Sequence, residues 1–480
     1  MGGRTWLTLA LGMTLVLFLA GCNSNSTSPS TNGAGMAPVS MTIHDTPPTG
    51  VSILSFEIHI TGASLQPSDS TQAAVSLMSA PDEIELEHLQ TSSALLGSTN
   101  VPAGAYTSLT VTFANPQMTI LNDTGATLTV GGTSCANGQV CEVQPALNQA
   151  SVTVNSSPLF PLTLSATGGV TLQLDFNINS SVQSDLSVTP TVSASAANSS
   201  MQNGSDGQED MELIGVVGTV DTSNQSFTLQ TGLNGQTDTI LTTNNTEFGF
   251  AESGCAANNF SCLASGQVVK VEAQMANGQL TAAEVDPVAL PNTAAVMGTV
   301  VSVNATQNQF EMVLNDIQDT QDSGTLGLGL PVTVTVGSGA TFNLGVAGIN
   351  LPSGLTFSGL ADLMVGQEVS AAVSGLSTSN GGVTMNTNQV TLEASELSGT
   401  VQSVDSGSGT LVLTNLSPLF TANGITQILV QTDSNTQFEN VAGLGSLSAT
   451  QNVSVSGALL ENGTSGAELL ATAVRLRVDN

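Results

Sequence analysis

The chain has 480 residues, 40% hydrophobic but only 3% aromatic, which is enough apolar material for several cores of ordinary domain size. Its net charge of −32 comes from 36 acids against four bases, so the acidity reflects missing bases rather than abundant acids. No basic surface can be assembled from so few cations, which excludes nucleic-acid binding and a polybasic membrane patch.

Residues 1–21 have the anatomy of a signal peptide: Arg4, an apolar run from Trp6 to Leu19, then Ala20 and Gly21. The run is too short for a stable spanning helix. Leu19-Ala20-Gly21-Cys22 resembles the bacterial lipobox, in which the cysteine thiol takes a diacylglycerol, cleavage frees its amine, and that amine is acylated. The plainer alternative is an ordinary secretory signal with a chance cysteine. In the lipobox reading Cys22 is the lipid attachment, and several acyl chains at about 0.8 kcal/mol per buried methylene hold the protein on a membrane. Asn23 rather than Asp follows it, which by resemblance to enterobacterial sorting points to the outer membrane over the inner. Residues 22–38, rich in Ser, Asn, Thr and Gly, read as a flexible tether.

Residues 39–192 alternate apolar and polar in about eight short runs, among them "VSMTIHD", "SFEIHITGASL", "SLTVTFA" and "GVTLQLDFNI", broken by Gly, Asn and Pro. That pattern predicts a β-sandwich of immunoglobulin- or transthyretin-like type. The only plausible helix is at 81–96, and even its start alternates like a strand. Residues 193–210, "SASAANSSMQNGSDGQED", are small and polar and predict a linker.

Beyond 211 the chain repeats itself in segments 211–290, 291–393 and 394–480. Each has a Gly-Thr-Val (Gly218, Gly298, Gly399), a polar turn, an alternating strand, and a polar segment ending in phenylalanine (Phe248, Phe342, Phe438). A turn with Gly266, Gly366 or Thr450 then precedes the last two strands. The pattern predicts three small antiparallel β-barrels, with the first glycine placed before the first strand for its conformational freedom and the phenylalanine as a core plug. Unequal spacing of the copies suits globular beads better than a tightly stacked solenoid, which needs near-constant periods. The expected fold class is therefore all-β, a sandwich followed by three barrels.

At these residues the chain resembles two bacterial families. "VSMTIHDTPPTGVSILSFEIHITGASLQ" and "VPAGAYTSLTVTF", with Asp45, Pro47, the strand around Ile58 and Ile60, and the turn Pro102-Ala103-Gly104-Ala105-Tyr106, resemble the domain of unknown function 4382. The three Gly-Thr-Val repeats resemble the domain of unknown function 5666. Neither resemblance implies a catalytic residue.

Four cysteines remain after Cys22, in the local pairs Cys135/Cys141 and Cys255/Cys262, and an exported chain with an even count predicts two disulfides. Asn137-Gly138 midway in "CANGQVC" is a hairpin-turn dipeptide that would face the first pair across a turn. Zinc would need four convergent ligands at tighter spacing.

The three histidines, His44, His59 and His88, all fall in the sandwich segment. Asp45 before "TPPTG" reads as a turn cap more than as an acid–base partner of His44. His59 and Glu57 alternate with Phe56, Ile58 and Ile60, so both belong on the outer, solvated face of a strand. His88 in "DEIELEH" reads as a solvated neighbour of carboxylates. Asp316, Asp319 and Asp322 have a period of three, wrong for the alternate-position calcium loop. The chain lacks Gly-x-Ser-x-Gly, and Lys270 lacks Ser-x-x-Lys spacing. The favoured reading is a lipid-anchored, non-enzymatic envelope module with no cofactor, no metal and no catalytic residue, meeting an envelope protein or a glycan. The alternatives are a metal-dependent or hydrolytic enzyme centred on the first domain, and a calcium-dependent adhesin.

Overall fold

Strict alternation in the first segment produces two facing sheets in the computed structural model. One has four strands in the order Val192–Asn198, Val170–Asn177, Met36–Thr46 and Ala94–Pro102. Its central pair, Met36–Thr46 with Val170–Asn177, runs parallel, with Val39 opposite Val170. The second sheet is organised by two long antiparallel strands, Ile53–Pro67 and Gly104–Leu121, and carries the shorter strands on their flanks. Inward residues of the two sheets form one core, in which Phe176 meets Phe56 and Phe113 edge-on at centroid distances of 5.8 and 5.7 Å. The Pro102–Tyr106 turn is a tyrosine corner: the buried Tyr106 hydroxyl donates to the Pro102 carbonyl at 2.7 Å.

The structure describes residues 36–46, 53–89, 93–166, 170–198, 211–231, 236–250, 255, 257–276, 279–289, 294–318, 325–346, 349–379, 382–463 and 466–477. Cys22, the signal segment, most of the tether, and residues 199–210 lie outside them.

Each repeat closes into a five-strand barrel. The strands are Met211–Asp221, Ser226–Thr231, Gln236–Leu241, Val268–Ala276 and Gln279–Ala289 in the first barrel. The second uses Ala295–Asn304, Gln309–Gln318, Pro331–Leu344, Glu368–Ser379 and Gly382–Leu392. The third uses Ser395–Asp405, Thr410–Thr414, Ile428–Gln431, Asn452–Asn462 and Gly466–Leu476. In all three the first strand lies between the second and fourth, and the ring closes by pairing the third strand with the fifth. That closing pair is parallel, so the barrels are not wholly antiparallel as expected from the hairpin-like spacing.

Local chemistry repeats with the topology. The turn between the first two strands is capped by Asp221, Asn304 or Asp405, whose side-chain oxygens accept backbone N–H groups two or three residues on. Before the fourth strand, Gly266 and Gly366 take φ of 82° and 83°, and Thr450 takes 76° in their place. The next residue in each copy, Gln267, Gln367 or Gln451, accepts a backbone N–H three residues back and closes the loop.

Several expectations are corrected. The described residues of 81–96 form no helix: Asp82–Glu85 pairs with Glu57–Ile60, a turn follows, and Ala94–Pro102 is a strand, because Ile84 and Leu86 alternate into the core. Residues 193–198, assigned to the linker, belong to the sheet-edge strand beside Val170–Asn177. Gly218, Gly298 and Gly399 lie inside the first barrel strands rather than before them. A Cβ there would strike the second strand, at Thr228, Val313 or Thr414, so close backbone approach explains the glycine. Phe248, Phe342 and Phe438 are half-buried on short parallel pairings with the last strand, opposite Val285, Val390 and Val474. They cover the cores from the side instead of plugging them.

The beads are not separate. Residues 35–480 form one compact unit. Ala458, Leu460 and Leu470 of the third barrel join the core of the second, and the Phe420 ring occupies the space a side chain at Gly366 would need. Leu54 of the sandwich, Val301, Val313 and Val365 of the second barrel, and Leu419 of the third share one apolar cluster. Ile214 and Val268 of the first barrel pack on Ala295 of the second. The middle barrel is thus the hub.

Candidate functional site

The strand Ile53–Pro67 turns Phe56, Ile58 and Ile60 inward, as its alternation requires, and Ser55, Glu57 and His59 outward. The outward face does not all meet water. Glu57 is 1% exposed, because the middle barrel covers this end of the sheet. Thr119, on the neighbouring strand, donates to the Gly329 carbonyl at 2.6 Å. Gly329 itself adopts φ of 70° so close to the Glu57 carboxylate that a Cβ would collide with it.

Glu85 and the turn after it complete the seam. Glu85 accepts the backbone N–H groups of Phe56, Glu87 and His88 at 2.8, 3.2 and 3.1 Å. His88 Nδ1 lies 2.7 Å from Glu85 Oε2, and its Nε2 lies 2.7 Å from the Thr299 hydroxyl and 3.5 Å from Glu368 Oε2. Thr299 in turn donates to Glu368 at 3.0 Å, and the Asn315 amide donates to the other Glu368 oxygen. Thr299 is the threonine of the middle Gly-Thr-Val. The residue facing it across the strand pair is Glu368, whereas the third barrel has Asn452 opposite Thr400. Among the three copies, "GQV", "GQE" and "TQN", only the middle one supplies an acid at the position that meets His88.

Glu85, Glu87 and Glu368 act on one imidazole, with Glu57 beside Glu85 and Arg477 acting on Glu87, and burial keeps these carboxyls from all ionising. The neighbouring Glu85 and Glu368 carboxylates raise His88 to about 10 against the opposing effect of burial. Burial pushes Glu57 up to about 8, with Glu85 adding to it, and likewise Glu87 to about 8. Burial also raises Glu368 to about 7, although His88, Asn315 and Thr299 pull it down. Glu85 stays below its ordinary value: burial alone would raise it, but the His88 charge and hydrogen bonds with the backbone N–H groups outweigh that. Ser55 Oγ touches both Glu57 and Glu85, at 3.1 Å from the latter, and has one proton to give. A protonated Glu57 supplies the other. At neutral pH the seam is therefore a charged His88–Glu85 pair beside protonated Glu57 and Glu87, with Glu368 near the middle of its titration.

A second buried contact joins the first and middle barrels: Lys270, 4% exposed, lies 3.6 Å from Glu393, which also accepts from Ser370 at 2.6 Å. In the third barrel Arg475 binds Glu439 at 2.5 Å. Scarce cations are spent on internal pairs.

The other candidate residues do not converge on this seam. Cys135–Cys141 and Cys255–Cys262 are disulfides, with Cα–Cα distances of 5.9 Å in both. His44 and Asp45 lie on the strand Met36–Thr46, opposite Asp175 and Phe176, and the turn after them is outside the described residues. His59 is half-exposed, 3.4 Å from Glu83. Asp316 pairs with Met297 inside a barrel strand, and Asp319 and Asp322 are outside the described residues. Among the described residues no group of three or more His, Cys, Asp or Glu is arranged to hold a metal ion. Sequence reasoning misjudged Glu57, which is buried, and His88, whose side chain is only 19% exposed, and overlooked Thr299, Asn315 and Glu368. The one available signal was the acid in "VGQEVSAAV", a charge inside an otherwise apolar strand.

Comparison with protein families agrees with this architecture. Residues 36–194 match the model described as Domain of unknown function (DUF4382). Residues 214–286 and 398–474, in the first and third barrels, match Domain of unknown function (DUF5666). An N-terminal domain of the first kind and barrels of the second are thus present, and the middle barrel shares their strand order. A search of curated proteins gave no match.

Proposed function

We propose that this chain is a lipid-anchored protein of the bacterial cell envelope that works without catalysis, as a rigid scaffold holding a binding surface away from the membrane. The observation that carries the scaffold reading is the seam: His88 of the sandwich, locked between Glu85 and the Thr299–Glu368 pair of the middle barrel, ties domains that the linker pattern would have left independent. Buried ion pairs of this sort contribute little net stability but fix one arrangement against others. Cations placed inside, at Lys270 and Arg475, leave an outer surface of uncharged polar and acidic groups, suited to a neutral or cationic partner such as an envelope protein or a glycan.

Anchoring is supported by the apolar run before Leu19-Ala20-Gly21-Cys22 and by the small polar residues after it. Among the described residues no helix is long and apolar enough to cross a membrane. The test is Cys22→Ser followed by fractionation of the envelope. The native chain is expected to stay with washed membranes and the variant to appear in the soluble fraction; a variant that remains membrane-bound overturns lipid anchoring.

A further inference from the structure

The first barrel differs from its two siblings at one end. Between its third and fourth strands it carries the Cys255–Cys262 disulfide, and the tied loop stands beside a cleft of about 820 Å³, within the usual size of small-molecule sites. The corresponding stretches of the other barrels contain no cysteine.

The lining has an unusual chemistry. Amides and hydroxyls form its walls, among them Thr222, Asn244 and Asn259, all exposed. Phe260, buried, and Phe248, half-buried, also line it. Among the described residues that line it, Glu247 is the one ionisable group and none is a base. Asn259 Oδ1 accepts both the backbone N–H and the hydroxyl of Ser261, at 2.9 and 2.7 Å, which holds its amide nitrogen in a fixed direction with both protons available.

From this arrangement we infer that the cleft at the disulfide-bearing end of the first barrel binds a neutral, hydroxyl-rich ligand, namely a short oligosaccharide. Anions are disfavoured because the chain is strongly negative and no cation is among the described lining residues. A metal ion would find one carboxylate among the described lining residues, where it needs several. Sugar hydroxyls both donate and accept, which matches a wall of amides and hydroxyls, and the C–H face of a sugar ring can lie against the half-buried Phe248. The inference goes beyond the scaffold reading and does not depend on the lipid anchor or on the seam.

The test is saturation-transfer NMR on the full chain in a non-glycosidic detergent, with maltotriose, cellotriose, mannotriose and triacetylchitotriose as probes and trigalacturonate as the anionic comparison. At least one neutral trisaccharide is expected to receive saturation and trigalacturonate none. Asn259→Asp keeps the oxygen that caps the loop and removes the amide donor; Asn244→Ala lies outside any cap. Each is expected to weaken binding about fivefold, the worth of one hydrogen bond, with the melting temperature unchanged. No transfer to any neutral probe at about 10 mM, or native affinity retained in both variants, overturns the site.

Discussion

His88 of the sandwich and Glu368 of the middle barrel lie 3.5 Å apart and share the Thr299 hydroxyl, which accepts from the imidazole and donates to the carboxylate. The contact joins residues far apart in the chain, and the protonation of the groups around it sets how stability depends on pH.

The folded-state values of Glu57, Glu87 and Glu368, about 8, 8 and 7, lie above the ordinary 4.5, and that of His88, about 10, lies above 6.5. Groups raised on folding bind protons more tightly in the native state, so their contribution is full below the ordinary value and is lost as pH rises through the native one. Glu85, lowered, acts in the opposite sense, losing its contribution only under acid conditions. The melting temperature is therefore expected to fall between about pH 5 and pH 9, and Glu57→Gln, which needs no proton to stay neutral, is expected to flatten that fall by about 1–3 kcal/mol at pH 9. Calorimetry across this range checks both; a melting temperature that rises towards pH 9 contradicts the assignment.

Thr450 holds φ of 76° where the sibling barrels have glycine. A β-branched residue in that region is strained, by an amount on the order of 1–2 kcal/mol. Thr450→Gly is expected to stabilise the protein by about 1 kcal/mol, read as an increased urea midpoint at constant slope. A loss of stability would mean that the threonine side chain makes a compensating contact.

Tyr106 is buried, and its hydroxyl bonds the Pro102 carbonyl. Tyr106→Phe keeps the ring and strands that carbonyl, with an expected loss of about 1–2 kcal/mol in denaturant unfolding. An unchanged midpoint would reduce the corner to packing alone.

Much of this fold was legible in the sequence, for reasons that can be named. Period-two alternation marked strands such as Val170–Asn177, and the internal repeat marked the barrels, including the turn where Thr450 stands for glycine. What alternation cannot tell is what covers the outer face. Glu57 and His88 look solvated when their own strand and turn are considered alone, and they are enclosed only because another domain lies over them. The parallel closure of the barrels was hidden for a similar reason, since short loops suggest hairpins while the third-to-fifth pairing is set by ring closure.

The joining of sandwich and middle barrel through His88 is tested most directly by scanning calorimetry of the native chain and His88→Ala at pH 6. Removing the imidazole leaves the ionised Glu85 buried without its counter-charge, a loss of about 3–5 kcal/mol. The native chain is expected to melt with the sandwich and the middle barrel in one transition, and the variant to show the sandwich melting separately at a lower temperature. Separate transitions already present in the native chain, left unmoved by His88→Ala, would contradict the account.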